Sequence, residues 1–316
     1  MAEVVCEDIE FASADGASIC RGHIWRSDRA PRASVQIIHG MTEHIGRYDG
    51  FARTLAARGY IVAGIDQLGH GRTTPDPAGR GVYDPEHGAD QLIADQRSLH
   101  ELMRGRAPEL PHFIIGHSMG SFVARSYLGR FGSELAGAVI LGTGWMPGPV
   151  IAANRAVLRA SALVRGWKHR SSVIDKLGMG GFNKRFAATC EGEPTGSEWV
   201  SRDPACVKAL IDDPDCGFMF SLSGYYTVMA LMREAQDSRR IARIPKDLPV
   251  LIASGTDDPV GDFGSGPTTL AETLRAAGLA DVTLELVDGA RHELINETNS
   301  AQIIAGIESW IEERIA

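Results

Sequence analysis

Residues 112–123 read HFIIGHSMGSFV. A short apolar run, Phe113-Ile114-Ile115, meets Gly116-His117-Ser118-Met119-Gly120, and a helix-like pattern follows. One serine between two glycines, where a strand becomes a helix, has a steric rationale. The turn is so sharp that the serine takes strained dihedrals, and side chains at 116 and 120 would collide with neighbouring backbone. The rival reading of such a turn is a phosphate cradle. It lacks support, because the chain contains neither G-x-G-x-x-G nor G-K-[ST]. The turn is therefore read as one that displays Ser118. A serine hydroxyl is a weak nucleophile at its own pKa. It needs a base to take its proton and donors to hold the oxyanion that forms.

The flanking pattern fits a parallel sheet. Apolar runs at 34–39, 60–65, 113–115 and 135–141 alternate with helical patterns, such as Leu92, Gln96, Leu99 and Met103 at i, i+4, i+7 and i+11. That alternation predicts an α/β fold with helices on both faces of the sheet. Two earlier strands, 4–11 and 17–25, flank an Ala-Asp-Gly turn. Residues 69–87 are rich in Gly, Pro and Asp and read as a long loop. The alternation resumes with strands at 249–254 and 282–287 and helices at 268–277 and 299–315. Between these parts, 146–225 shows helical pieces such as 151–163 but no strand pattern. The expected organisation is a core at 1–145, a helical cap at 146–225, and the rest of the core at 226–316. A helix at 225–235 returns the chain to the core.

In such a fold the base and its acid follow the serine in the order Ser…Asp…His. Two adjacent acids, Asp257 and Asp258, follow the strand at 249–254, and the histidine beyond them is His292, in a loop after the last strand. Loops at the carboxyl ends of parallel strands are where such sheets keep their sites. Periodicity does not choose between the two acids; Pro259 biases Asp258 to an extended backbone. Two N–H groups are expected to form the oxyanion hole. One is that of Met119, directly after the nucleophile. The other is that of Met41, in the loop His39-Gly40-Met41 where Gly40 permits close approach.

The bulk numbers exclude other classes. The chain has 316 residues, 44% hydrophobic and 23% charged, with a net charge of −8. This supports a full-size core and gives no basic face for nucleic acid. Five cysteines, Cys6, Cys20, Cys190, Cys206 and Cys216, show no C-x-x-C spacing and suggest neither a disulfide framework nor a zinc site. No secretory signal and no transmembrane run is evident, so a cytoplasmic location is the expectation.

Four blocks now carry a resemblance. HGMTEHIGRYDGFARTLAARGYIVAGIDQLGHGRT at 39–73, GHSMG at 116–120, SGTDDPVGD at 254–262 and GARHELINET at 289–298 together resemble the monoacylglycerol lipase and lysophospholipase group of α/β-hydrolases, also labelled serine aminopeptidase-like. The resemblance implies an eight-stranded, mostly parallel α/β-hydrolase sheet with a helical cap after the sixth strand. Its G-x-x-D-P-[VL] acid motif falls on Asp258, its histidine on His292, and its second oxyanion donor on Met41. Two positions depart from the pattern: Ser121 stands where the family often has Gly, and Ile45 follows Glu43-His44 where it often has Ser.

The expectation is a serine hydrolase of carboxylic esters with Ser118, His292 and Asp258 as its triad and no metal or cofactor. Its partner is a small acyl ester such as a monoacylglycerol or lysophospholipid. An apolar cap mouth near Gly40, Trp145, Met146, Phe182, Phe218 and Phe220 is read as the acyl site. Peptidase, thioesterase or perhydrolase chemistry on the same triad, or a non-catalytic binding protein, are the alternatives.

Overall fold

In the computed structural model, which describes residues 3–187 and 193–315, eight strands form one sheet in the order β1-β2-β4-β3-β5-β6-β7-β8. They are β1 (Val4–Ala12), β2 (Ile19–Ser27), β3 (Ala33–Ile38), β4 (Tyr60–Asp66), β5 (His112–His117), β6 (Gly137–Leu141), β7 (Val250–Gly255) and β8 (Val282–Val287). β2 runs antiparallel to β1 and β4; every other pairing is parallel. The hairpin turns at Asp15, whose carboxylate accepts from the Ala17 and Ser18 N–H groups, with Gly16 at φ +74°.

The helices are α1 (Asp49–Ala56), α2 (Gly88–Arg106), α3 (Met119–Phe131), α4 (Gly148–Arg165), α5 (Ser172–Gly178), α6 (Lys184–Ala187), α7 (Pro204–Asp212), α8 (Leu222–Ala235), α9 (Ser238–Ile241), α10 (Ser265–Ala276) and α11 (Ser300–Glu312). α1 and α11 pack on one sheet face with Phe113, Ile115, Val139 and Leu251. α2, α3, α8 and α10 pack on the other with Ile114, Ile140 and Ile252. Cover on both faces explains why β3, β5, β6 and β7 are mostly apolar and buried throughout, with Ser34, Gln36, His112 and His117 among the buried polar exceptions. The edge strand β8 alternates less cleanly and stays half-exposed.

Two helices start three residues before the hydrophobic pattern suggests. α8 begins at Leu222 because Ser221 Oγ caps it, accepting from the Gly224 N–H at 3.1 Å. α10 begins at Ser265 because Gly264, at φ +94°, reverses the chain just before it. Within 69–87 the regular element is one 3-10 turn, Gly71–Thr73. Between β6 and α8 the described residues form helices α4 to α7 and no strand beyond a single bridge, Arg170 to Ser221. Cys6, Cys20, Cys206 and Cys216 are free thiols, and Cys190 lies outside the described residues.

Candidate active site

The turn between β5 and α3 is as tight as its glycines suggest. Ser118 caps α3 with φ 53° and ψ −119°, a region that non-glycine residues avoid. A Cβ on Gly116 would lie 2.4 Å from the Gly120 carbonyl oxygen, and one on Gly120 would lie 2.2 Å from that of Ile38. Both contacts are with backbone, so neither can yield. The Ser118 N–H donates to the Leu141 carbonyl at 3.0 Å, which ties the turn to β6.

His292 and Asp258 arrive on the loops after β8 and β7. His292 Nδ1 lies 3.0 Å from each Asp258 carboxylate oxygen. Asp258 is wholly buried. Burial alone would raise its pKa; the His292 ring, the Val260 N–H at 2.9 Å and the His117 charge outweigh burial and lower it. Asp257 turns the other way. Its N–H donates to Ala290, and its carboxylate sits 3.2 Å from the Arg185 guanidinium on α6.

The loop at 39–43 is pinned on both sides of Met41. The Gly40 N–H donates to Glu43 Oε1, and the Thr42 N–H donates to His70 Nε2 at 3.2 Å. Burial pushes His70 down to about 3, so its ring stays neutral and able to accept. A Cβ on Gly40 would lie 3.1 Å from that of Ser118, so the loop runs directly beside the serine. Neither the Met41 nor the Met119 N–H has an acceptor among the described residues. The elbow geometry thus leaves two backbone donors open beside one strained serine.

A cavity of about 480 Å³ joins these parts, with Ser118, Met119, Met41, Gly40 and His292 on its wall. Trp145, Met146 and Phe182 line it too. Phe218 does not, which corrects the sequence expectation. It packs against His70 and Phe220, with ring centroids at 5.4 and 5.9 Å, and under Arg80, beside the 69–87 loop. Phe220 is fully buried beside it. Gly116 and Gly120 stay behind the wall as clearance. Several wall residues carried no sequence signal: Val228, Met229 and Met232 on α8, and Trp199, whose ring sits 5.1 Å from that of His292. The α8 residues fall on a helix stripe that reads equally well as plain core.

One side of the wall is formed by a buried ionic network. Arg47 bridges Glu43 at 2.9 Å and Glu293 at 2.5 and 2.7 Å. Tyr48 donates its hydroxyl to Glu43 at 2.8 Å and accepts from His117 Nδ1 at 3.0 Å. His117 Nε2 donates to the His292 carbonyl at 3.3 Å. With acceptors at both nitrogens the ring is an imidazolium. Burial opposes that charge, but Glu43 outweighs burial and His117 is raised above its ordinary pKa. Glu43 is held well below its own, because His117 and Arg47 outweigh its burial. This pair therefore ties the end of β5, the 39–43 loop and the His292 loop together.

Ser121, the departure in the turn, has a role here. Its hydroxyl lies 2.5 Å from the Ser118 carbonyl, which can only accept, and 2.8 Å from Thr143 Oγ1. Arg125 donates to Thr143 at 3.1 Å. Arg125, Thr143, Ser121 and the Ser118 carbonyl thus form one chain of donors, which Gly at 121 could not make. Elsewhere, His44, Asp213 and Cys216 bring ligand-type atoms within 4.8 Å of one another. The His44 ring is already satisfied, donating from Nε2 to Asp213 at 2.9 Å and accepting from the Gly46 N–H at Nδ1. Burial also raises the Cys216 thiol pKa. These three fit a hydrogen-bonded cluster better than a metal centre.

Comparison with known proteins agrees with this architecture. The family model described as serine aminopeptidase, S33, matches residues 29–299. A monoacylglycerol lipase of Mycolicibacterium smegmatis is 27% identical over 95% of both chains. A human monoglyceride lipase is 27% identical over 97% of this chain and 90% of its own. The structure of a thermostable carboxyl esterase from Bacillus coagulans superposes with a TM-score of 0.90 at 28% identity, covering 99% of each chain. With its eight-stranded sheet, strained β5–α3 turn and family-model match over most of its length, the chain belongs to the serine aminopeptidase S33 family of α/β-hydrolases.

Proposed function

We propose that the chain hydrolyses carboxylic esters, with monoacylglycerols and related single-chain acyl esters as its substrate class. Ser118 Oγ attacks the ester carbonyl while His292 Nε2 takes its proton. Asp258 holds the imidazole in the tautomer that leaves Nε2 free, and it stabilises the imidazolium that forms. The Met41 and Met119 N–H groups receive the oxyanion; each such donor contributes about 10²–10³ in rate. The tetrahedral intermediate collapses, His292 gives its proton to the leaving alcohol, and water repeats the sequence on the acyl-serine.

The observation that carries this reading is the His292 Nδ1 contact with Asp258 at 3.0 Å, on the wall of the cavity that holds the strained Ser118. The ester preference over N-terminal peptide cleavage has its own support. An aminopeptidase needs a carboxylate free to hold the substrate ammonium. Among the described residues lining the cavity the carboxylates are Glu43 and Glu293, and both are bound to Arg47. The wall is otherwise rich in Met, Leu, Val, Trp and Phe, which suits an acyl chain. The relatives named monoacylglycerol and monoglyceride lipase point the same way.

The test is a panel of p-nitrophenyl esters and monoacylglycerols against aminoacyl-arylamides. Ester turnover is expected to exceed arylamide turnover by orders of magnitude. Faster arylamide turnover would overturn the ester assignment while leaving the triad intact.

A further inference from the structure

The Ser118 carbonyl and the Met119 N–H belong to one peptide unit. That unit is planar and trans, so its C=O and N–H point in opposite directions. Whatever holds the carbonyl therefore aims the N–H. The carbonyl is held twice, by the Ser121 N–H at 2.9 Å and by Ser121 Oγ at 2.5 Å. The N–H on the far side is the first of α3, which has no acceptor within its own helix.

The hydroxyl bond is more than the local back-bonding of a serine to its own helix turn. A serine that only back-bonds needs no further partner. Ser121 has one hydroxyl proton and the carbonyl takes it, so the 2.8 Å contact with Thr143 Oγ1 is a bond that Thr143 donates. Thr143 in turn accepts from Arg125 at 3.1 Å. Ser121, Thr143 and Arg125 are all buried. Arg125 also reaches the carbonyls of Gly144 and Ala235, and among the described residues no carboxylate pairs with it. Every proton in this row is donated toward Ser118, and the row starts on a full positive charge. Such a row polarises each member in turn. At its end it draws electron density onto the Ser118 carbonyl oxygen, which makes the Met119 N–H a stronger donor. It also steadies a strained backbone. Ser118 sits at φ 53° and ψ −119°, and tipping this peptide changes that ψ directly.

We propose that Arg125, Thr143 and Ser121 are positioning residues for the oxyanion: they aim the Met119 N–H at it and strengthen that donor. The inference rests on the ester-hydrolysing role of Ser118 proposed above. With glycine at 121 the row would stop at Thr143, and backbone alone would hold the Ser118–Met119 peptide.

The experiment compares wild type with Ser121→Ala, Thr143→Val and Thr143→Ser. Alanine keeps α3 intact, since no residue favours a helix more. Turnover of p-nitrophenyl butyrate is measured across pH, together with inhibition by an alkyl trifluoromethyl ketone. Ser118 Oγ adds to the ketone carbon, its proton passes to His292, and the carbonyl electron pair moves onto oxygen as a hemiketal oxyanion. Ser121→Ala is expected to lower kcat and kcat/KM alike by about tenfold, a fraction of what a whole oxyanion donor supplies. The ketone Ki should rise by the same factor, while KM and the midpoint of the pH profile, which His292 sets, stay in place. Thr143→Val should act in the same direction, and Thr143→Ser should restore wild-type values. Wild-type kcat and Ki in Ser121→Ala, a shifted pH midpoint, or a Thr143→Ser as impaired as Thr143→Val overturns the proposal and leaves ester hydrolysis standing. A wild type that neither turns over the ester nor binds the ketone overturns the ester reading, and this inference with it.

Discussion

Asp257 and Asp258 share a loop and a charge, yet only the second has its carboxylate buried against His292. The Asp257 side chain is 32% exposed and meets Arg185. Asp258→Asn should therefore cost about 10³–10⁴ in kcat through the wrong imidazole tautomer. Asp257→Asn should cost less than tenfold. Steady-state kinetics of the two variants decide the matter, and the reverse order would move the acid by one residue. Neighbouring residues set the conditions for this chemistry from beneath. Glu43 neutralises Arg47 and His117 and also holds the Gly40 N–H. Glu43→Gln leaves two buried cations short of a counter-charge and should cost about 3–5 kcal/mol in urea unfolding; an unchanged midpoint would refute the network. The serine, the histidine and the acid pair were legible in the sequence because their chemistry dictates residue type and order. Glu43 and His117 were not, because a sequence does not say which carboxylate is buried. Ser121 was legible only as a departure, since its partner Thr143 comes from the end of another strand.

The β5–α3 elbow depends on clearances between elements. Gly120 meets the end of β3 and Gly116 meets the start of α3, both backbone to side-chain position. Gly120→Ala drives a Cβ into the Ile38 carbonyl and should lower the melting temperature steeply or prevent folding. Gly105→Ala, at an exposed position near the end of α2 with no neighbour within 4 Å, should stabilise by about 0.5–1 kcal/mol. Thermal melts of both variants make the comparison, and equal effects would contradict the steric account. At this scale the buried parallel strands announced themselves as apolar runs, and their helices as periodic stripes. α4 was legible as a helical piece at 151–163, whereas α5 to α7 were legible only as a loss of that alternation. Phe218 shows why: an aromatic residue between helices reads the same whether it faces the cavity or, as here, His70 and Phe220.

Across the whole molecule, buried neutral histidines set the acid limit. Burial lowers His39 and His100 to about 4 and His70 to about 3, and pushes His112 well below its ordinary value. The unfolded chain protonates these rings near pH 6.5, before the folded chain does, so stability falls as pH drops from 6.5 toward 4. Each ring contributes up to about 1.4 kcal/mol per pH unit in that window. His117 has the opposite sign. Its folded pKa is raised, so its contribution is full below 6.5 and is lost as pH rises through the folded value. Melting temperature against pH should therefore fall steeply on the acid side, and a flat profile from pH 6.5 to 5 would contradict the burial of neutral rings. The doubly covered sheet and the order of the loops that carry Ser118, Asp258 and His292 follow from patterns visible along the chain.

The most direct test of the catalytic assignment is intact-mass analysis after reaction with a fluorophosphonate, with wild type and Ser118→Ala side by side. The expected result is one adduct per chain on Ser118 in the wild type and none in the variant. Equal labelling of Ser118→Ala would contradict Ser118 as the nucleophile, and with it the triad built on His292 and Asp258.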